Sequence, residues 1–186
     1  MKKVLWLLGF AVSMVLSVSG CKQSLTREAY LKGEPGGPWG YLYGTRELVR
    51  KGVSFNLMMS LQIEPLEANG EKPFSIGATS AQKGYYFYRV KPGKYAIKEW
   101  GVSGGDSGAK SYPVGHMFEV KENTVTYLGY TLFLQEGFTR DGYDWISYTL
   151  TSSDTMKEDM EMLYRDIPET KELKVVNQAW KFSLEK

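Results

Sequence analysis

From Ser54 to Glu64 apolar and polar side chains alternate. Phe55, Leu57, Met59, Leu61 and Ile63 share one parity, Ser54, Asn56, Ser60, Gln62 and Glu64 the other, and only Met58 breaks the order. Period two predicts a strand with one buried and one wet face. A one-residue slip would turn every apolar member outward, so this strand pins its own register. Aromatic and β-branched runs recur at Tyr85–Val90, Tyr95–Trp100, Met117–Val120 and Thr124–Phe133. They are broken by Lys91-Pro92-Gly93-Lys94, with the chemistry of a type II turn, and by Lys121-Glu122-Asn123. Together they predict adjacent antiparallel strands. Phe74–Ala78 reads as a short strand behind an Asn69-Gly70 turn, Gln135–Gly142 as a loop and Tyr143–Leu150 as a further strand. The period then becomes helical. Met156, Met160, Leu163 and Ile167 follow a Thr155-x-x-Glu158 capping box and precede Pro168, predicting an amphipathic helix near 155–167 on the edge of the sheets, its methionines filling core. A late strand is expected over Leu173–Val176, and Trp180, Phe182 and Leu184 alternate near the end.

The segment ahead of these elements is patterned differently. Lys2 and Lys3 precede an apolar run from Val4 to Leu16, interrupted only by Gly9 and Ser13, and small residues then lead to Val18-Ser19-Gly20-Cys21. A run this short with a basic start and a small-residue exit predicts a cleaved export signal rather than a membrane span. Its last four residues resemble the lipobox of bacterial lipoproteins. The resemblance implies cleavage after Gly20 and acylation of Cys21, which becomes the lipidated N-terminus. Lys22, rather than Asp, then implies the outer membrane of a double-membrane cell. Cys21 is the only cysteine, so it has no internal disulfide partner. Acyl chains contribute roughly 0.8 kcal/mol per buried CH₂ and would hold the chain on a membrane. Lys22 to Pro38 is polar and ends in Gly33-Glu34-Pro35-Gly36-Gly37-Pro38. It is expected to be a tether with a reach of about 20–25 Å. The expected organisation is therefore a signal over 1–20, a lipidated tether over 21–38 and one domain over 39–186.

Composition narrows the function classes. The chain has 23 basic and 21 acidic residues, and these balance once Lys2 and Lys3 leave with the signal. A neutral domain without a basic cluster excludes nucleic-acid binding by bulk electrostatics. Thirteen tyrosines favour half-buried strands. The pattern Val90-x-Pro92-Gly93-x-Tyr95-x-Ile97, then Phe118-x-Val120 and Val125-x-Tyr127-x-Gly129, resembles transthyretin-like and fibronectin-like β-sandwiches. It is similar above all to small bacterial lipoproteins and carboxypeptidase-regulatory-like domains of that shape, over Val53–Leu134. The resemblance implies a mainly β, antiparallel sandwich carrying one C-terminal amphipathic helix, with the Tyr95 hydroxyl bracing a corner. Without a second cysteine an antibody-type domain is excluded.

Catalytic motifs do not assemble. Gly105-Asp106-Ser107-Gly108 looks like the serine segment of chymotrypsin-like proteases, but that mechanism needs a histidine base within hydrogen-bond reach, which that family supplies far upstream, and the one histidine, His116, lies downstream. His116 alone cannot make a zinc site. Asp141-Gly142-x-Asp144 lacks the further acids of a calcium loop. A carboxylate pair for glycoside hydrolysis is not visible in sequence, because its spacing is spatial. The remaining signal is aromatic. Trp100 and Tyr112, flanking a Gly/Ser-rich loop over Val102–Lys110, are the candidate ligand-binding residues, with core packing as the competing reading; the same alternatives hold for Trp145. The expectation is a non-enzymatic, lipid-anchored envelope protein without metal or cofactor that binds an envelope protein or glycan. The alternatives are an assembly accessory of an envelope complex and an unrecognised hydrolase.

Overall fold

A computed structural model describes residues 22–33, 37–53, 57–78, 83–104 and 109–185. Leu57, Met59, Leu61 and Ile63 are buried while Met58 turns outward, as their alternation predicts. Phe55, the Gly105–Gly108 motif, Cys21 and the lipobox lie outside the described residues. The elements run α1 (Arg27–Lys32), β1 (Gly40–Lys51), β2 (Met58–Pro65), β3 (Phe74–Ala78), β4 (Gly84–Val90), β5 (Gly93–Ser103), β6 (Lys110–Val120), β7 (Thr124–Arg140), β8 (Tyr143–Ser153), α2 (Met156–Asp166), a 3-10 turn (Pro168–Glu172), β9 (Lys174–Asn177) and β10 (Phe182–Glu185). They form a mainly β structure of two sheets. One has the order β3-β2-β5-β6, all antiparallel; the other has the order β10-β8-β7-β1-β4. In the second sheet β7 is the spine. It pairs β1 in parallel, β9 in parallel over Thr124–Tyr127, and β8 in antiparallel over Tyr130–Arg140.

Two expected neighbours separate. β4 pairs β1 and β5 pairs β2 and β6, so the Pro92-Gly93 turn carries the chain from one sheet to the other instead of closing a hairpin. The reason is burial. Tyr86, Tyr88 and Val90 and then Tyr95 and Ile97 are each buried in the same inter-sheet cluster, and a corner lets two consecutive amphipathic runs face each other across it. Tyr95 braces this corner. Its hydroxyl donates to the Lys91 carbonyl at 2.5 Å and accepts from Asn69 Nδ2 at 2.9 Å.

α2 packs on the outer face of the second sheet rather than on an edge. Met160, Leu163 and Ile167 bury against Tyr43, Phe87, Val125 and Tyr127, each apolar side chain contributing roughly 1.5–3 kcal/mol. The capping box is not formed. Thr155 Oγ1 instead donates to Asp159 Oδ2 at 2.8 Å, and the Met156 N–H is taken by Asp154 Oδ1 at 3.1 Å. Among the described residues no helix is long and apolar enough to cross a membrane.

The segment expected to be a tether is docked over its described first part. The Leu25 N–H donates to the Phe87 carbonyl at 2.7 Å and the Phe87 N–H to Ser24 Oγ at 2.9 Å, which covers the open edge of β4. Lys22 Nζ pairs with Glu71 at 2.8 Å and lies 4.9 Å from the Phe74 ring centre. In α1, Tyr30 packs on Tyr41 and Phe87, and Arg89 donates to the Ala29 and Tyr30 carbonyls. Polar composition suggested a free linker because these bonds are made by backbone and side-chain ends that no periodicity records.

The strand directions give the body two ends. Lys22, the Leu66–Glu71 turn, the Lys91–Gly93 corner and the Lys121–Asn123 turn share one. The tips of β1 and β5, the start of β6 and the β7–β8 hairpin share the other.

Candidate functional site

The far end is built by a hairpin longer than its sequence suggests. The loop expected over Gln135–Gly142 contracts to two residues, because β7 continues to Arg140. Gln135 is polar yet fully buried. Its Nε2 donates to the Leu57 carbonyl at 3.2 Å and its Oε1 accepts from Arg50 Nε at 3.2 Å. Asp141 and Gly142 both have positive φ, 55° and 78°, the backbone of a type I′ turn, for which Asp-Gly is a preferred pair. That dipeptide was the available signal for the hairpin. It also disposes of the calcium-loop comparison: Asp144 Oδ1 accepts from Thr139 Oγ1 at 2.9 Å across the ribbon.

Cross-strand pairing sorts the ribbon's side chains. Phe138 stands opposite Trp145 and Arg140 opposite Tyr143, so these four share one face. Phe138, Trp145 and Tyr143 are 47%, 55% and 71% exposed. Three large rings on one projecting ribbon form an apolar platform in water, the arrangement that marks an interaction site. The opposite parity, Gly137, Thr139, Asp144, Ile146 and Tyr148, turns toward the mouth between the sheets. There a cleft of about 440 Å³, whose rim Phe138 and Trp145 also line, is completed by Gly52, Val53 and Lys110. Gly137 is held by contact, since a Cβ there would meet the Gly52 carbonyl oxygen at 2.2 Å.

Trp100 and Tyr112 do come together, but not as an exposed pair. They are cross-strand partners on β5 and β6 with ring centres 4.7 Å apart; Trp100 is fully buried and Tyr112 half-buried. Trp100 belongs to the inter-sheet core, and Tyr112 packs against that core beside Ile146 and Tyr148. A ring closed in on both faces cannot stack on a ligand. Burial, with nearby Tyr112 adding to it, pushes the Tyr148 hydroxyl above its usual range, so it stays a neutral donor at the cleft's inner wall. Trp145, which sequence reasoning treated with the same caution, is the exposed tryptophan of the far end.

The polar constellation most like catalytic machinery lies elsewhere, under α2. Asp159 is fully buried. Its Oδ2 accepts from Tyr127 at 2.6 Å, Thr45 at 2.7 Å and Thr155 at 2.8 Å, and its Oδ1 from Lys83 at 3.0 Å. Tyr43 donates to the Asp159 carbonyl. Burial alone would raise this carboxyl's pKa. The three hydroxyls and the ammonium outweigh it and hold the pKa below the usual 3.8. Tyr43 and Tyr127 are driven the other way, chiefly by burial. Oδ2 takes three hydroxyls and Oδ1 the ammonium, and the carboxylate itself is closed off from solvent. The cluster is a clamp between α2 and the second sheet.

His116 stacks on Phe118 and Trp180, with ring centres at 6.5 and 6.0 Å, and burial lowers its pKa. It is a neutral packing residue. Among the described residues no group of three or more His, Cys, Asp or Glu is placed to hold a metal ion. Comparison with protein-family models, with curated proteins and with solved structures returned no match.

Proposed function

We propose that the protein is a lipid-anchored lipoprotein of the bacterial envelope whose sandwich acts as a non-enzymatic binding module for an envelope glycan. One observation carries the binding part. Phe138 and Trp145 sit directly opposite each other on a solvent-exposed ribbon. Flat exposed rings suit the C–H faces of sugars. The cleft of about 440 Å³ that these rings help to line is within the range of small-molecule sites, roughly 300–1,000 Å³. It offers Lys110, Thr139 and Asp144 as polar groups. The anchor rests on the Val18-Ser19-Gly20-Cys21 sequence. Soluble peptidoglycan fragments titrated into the protein should change its tryptophan fluorescence, and Trp145→Ala should abolish that change while unfolding remains cooperative. A response that survives Trp145→Ala, Phe138→Ala overturns the reading.

A second reading has its own observation. Arg140 and Tyr143 join Trp145 on the same face, and Arg, Tyr and Trp are the residues that dominate protein interfaces. In-cell crosslinking from position 143 separates the two: a discrete protein adduct favours docking into an envelope complex, and a glycan adduct favours the first reading.

A further inference from the structure

The docked N-terminal segment fixes which way the platform points. This deepens the lipoprotein reading above and rests on it. Cys21 is separated from Lys22 by one peptide link, about 3.8 Å between Cα atoms. Lys22 is not at the end of a loose chain. Its ammonium is held by Glu71 at 2.8 Å, and that carboxylate also accepts the Lys91 N–H at 3.1 Å. Two residues on, Ser24 and Leu25 are bonded to both backbone groups of Phe87. Lys22, the neighbour of the proposed attachment point, is thus fixed on the body at the end that carries the Pro92-Gly93 corner.

That end presents an exposed apolar side chain, a tryptophan and charges in balance. Leu66 is 47% exposed in the turn after β2. Trp39 lies under Lys91, 3.8 Å from ammonium to ring centre. Lys94 and Lys121 have side chains 65% and 60% exposed, and each is paired with a carboxylate of the same end, Glu67 at 3.5 Å and Glu119 at 3.4 Å; a tryptophan suits the headgroup level. At the other end stand Tyr143 and Trp145. β7 links the two levels with 17 residues, about 50 Å at strand rise.

We propose that acylated Cys21 seats the Leu66–Trp39 end directly on the lipid headgroups, so that the domain stands as a rigid post with the Phe138–Trp145 platform facing away from its own membrane. The occupant of the platform is then a glycan held at a distance from the bilayer, and neither the anchoring lipid nor a membrane-embedded segment reaches it. A freely tethered domain would have no such preference.

The test uses the full lipidated chain in vesicles of phosphatidylethanolamine and phosphatidylglycerol containing headgroup spin-labelled lipid. The sulfur of Cys21 is occupied by its acyl group, so Leu66→Cys or Asp141→Cys supplies one reactive thiol for a fluorophore. The Leu66→Cys label should be quenched several-fold more than the Asp141→Cys label. A variant with a ten-residue Gly/Ser insertion between Cys21 and Lys22 should stay membrane-bound while that difference collapses. Equal quenching at the two positions, quenching at neither, or a difference unchanged by the insertion overturns the post while leaving the anchor and the binding reading standing. Absence of fatty acid on Cys21 overturns the anchor, and the post with it. Loss of fluorophore contrast together with loss of cooperative unfolding in Leu66→Cys is checked at Lys94→Cys, which reports the same end.

Discussion

Asp159 and Trp145 hang on the same sheet and present opposite cases. Asp159 looks like machinery: a buried carboxylate among two tyrosines, two threonines and a lysine. Its carboxylate is buried and spends its hydrogen bonds on α2 and the second sheet. Trp145 has no acid or base chemistry, yet it stands in water beside Phe138 at a cost that folding gives no reason for. Unspent interaction capacity, rather than chemical richness, distinguishes a site from a brace here.

That contrast can be broken by substitution. Asp159→Ala strands Tyr127, Thr45 and Thr155 and should lower unfolding free energy by about 3–5 kcal/mol. Trp145→Ala should stay within about 0.5 kcal/mol. Urea midpoints at constant m-value measure both, and a destabilising Trp145→Ala would make the platform a packing element. The two tryptophans sharpen it further. Trp100→Ala opens a core cavity and should cost about 3–5 kcal/mol, and in the native state acrylamide should quench Trp145 far more than Trp100. On the binding side, Trp145→Ala should weaken glycan affinity by about 2 kcal/mol, some thirtyfold, in a calorimetric titration. Thr131 gives a smaller effect of opposite sign. Its hydroxyl is buried without a partner, so Thr131→Val should stabilise by about 1 kcal/mol and raise Tm by about 2–4 °C.

The smallest effects are in pH. Burial lowers the folded-state pKa of His116 below 6.5, so the unfolded chain takes up its proton first. Stability should be level above pH 6.5 and decline as the pH falls below it, until the folded histidine also protonates. His116→Gln should flatten that slope. Asp159, depressed below 3.8, contributes stability that is complete above its unfolded value and lost only as the pH falls through its folded one, which leaves the two windows separate.

What could be read in sequence follows from which faces are wet. β2 was legible because Ser60 and Gln62 face outward while Met59 and Leu61 face the core. β1 carried no such signal. Leu42 and Leu48 enter the inter-sheet core while Tyr43 packs under α2, so both faces are covered and the alternation vanishes. The end of β7 was missed because Gln135 and Glu136 look like a loop, though one is satisfied internally and the other pairs with Lys51 at 3.0 Å. The platform was missed for a related reason. The Gly/Ser-rich stretch drew attention to Trp100, and nothing local to Trp100 says that Tyr112 will cover it. Placing the exposed rings at 138 and 145 requires knowing that Asp141-Gly142 closes a two-residue turn, which sets those residues opposite each other.

The parallel pairing of β1 with β7 has a mechanical consequence. A pull between Lys22 and the hairpin at Tyr143 runs along the strands, entering through β4, crossing to β1 and leaving through β7. Loaded in that direction the ladders are sheared, and the hydrogen bonds from Tyr41↔Val125 to Lys51↔Glu136 share the force instead of opening one after another. Under the proposed anchor and binding, the domain is thereby strongest along the line in which a partner would draw on it.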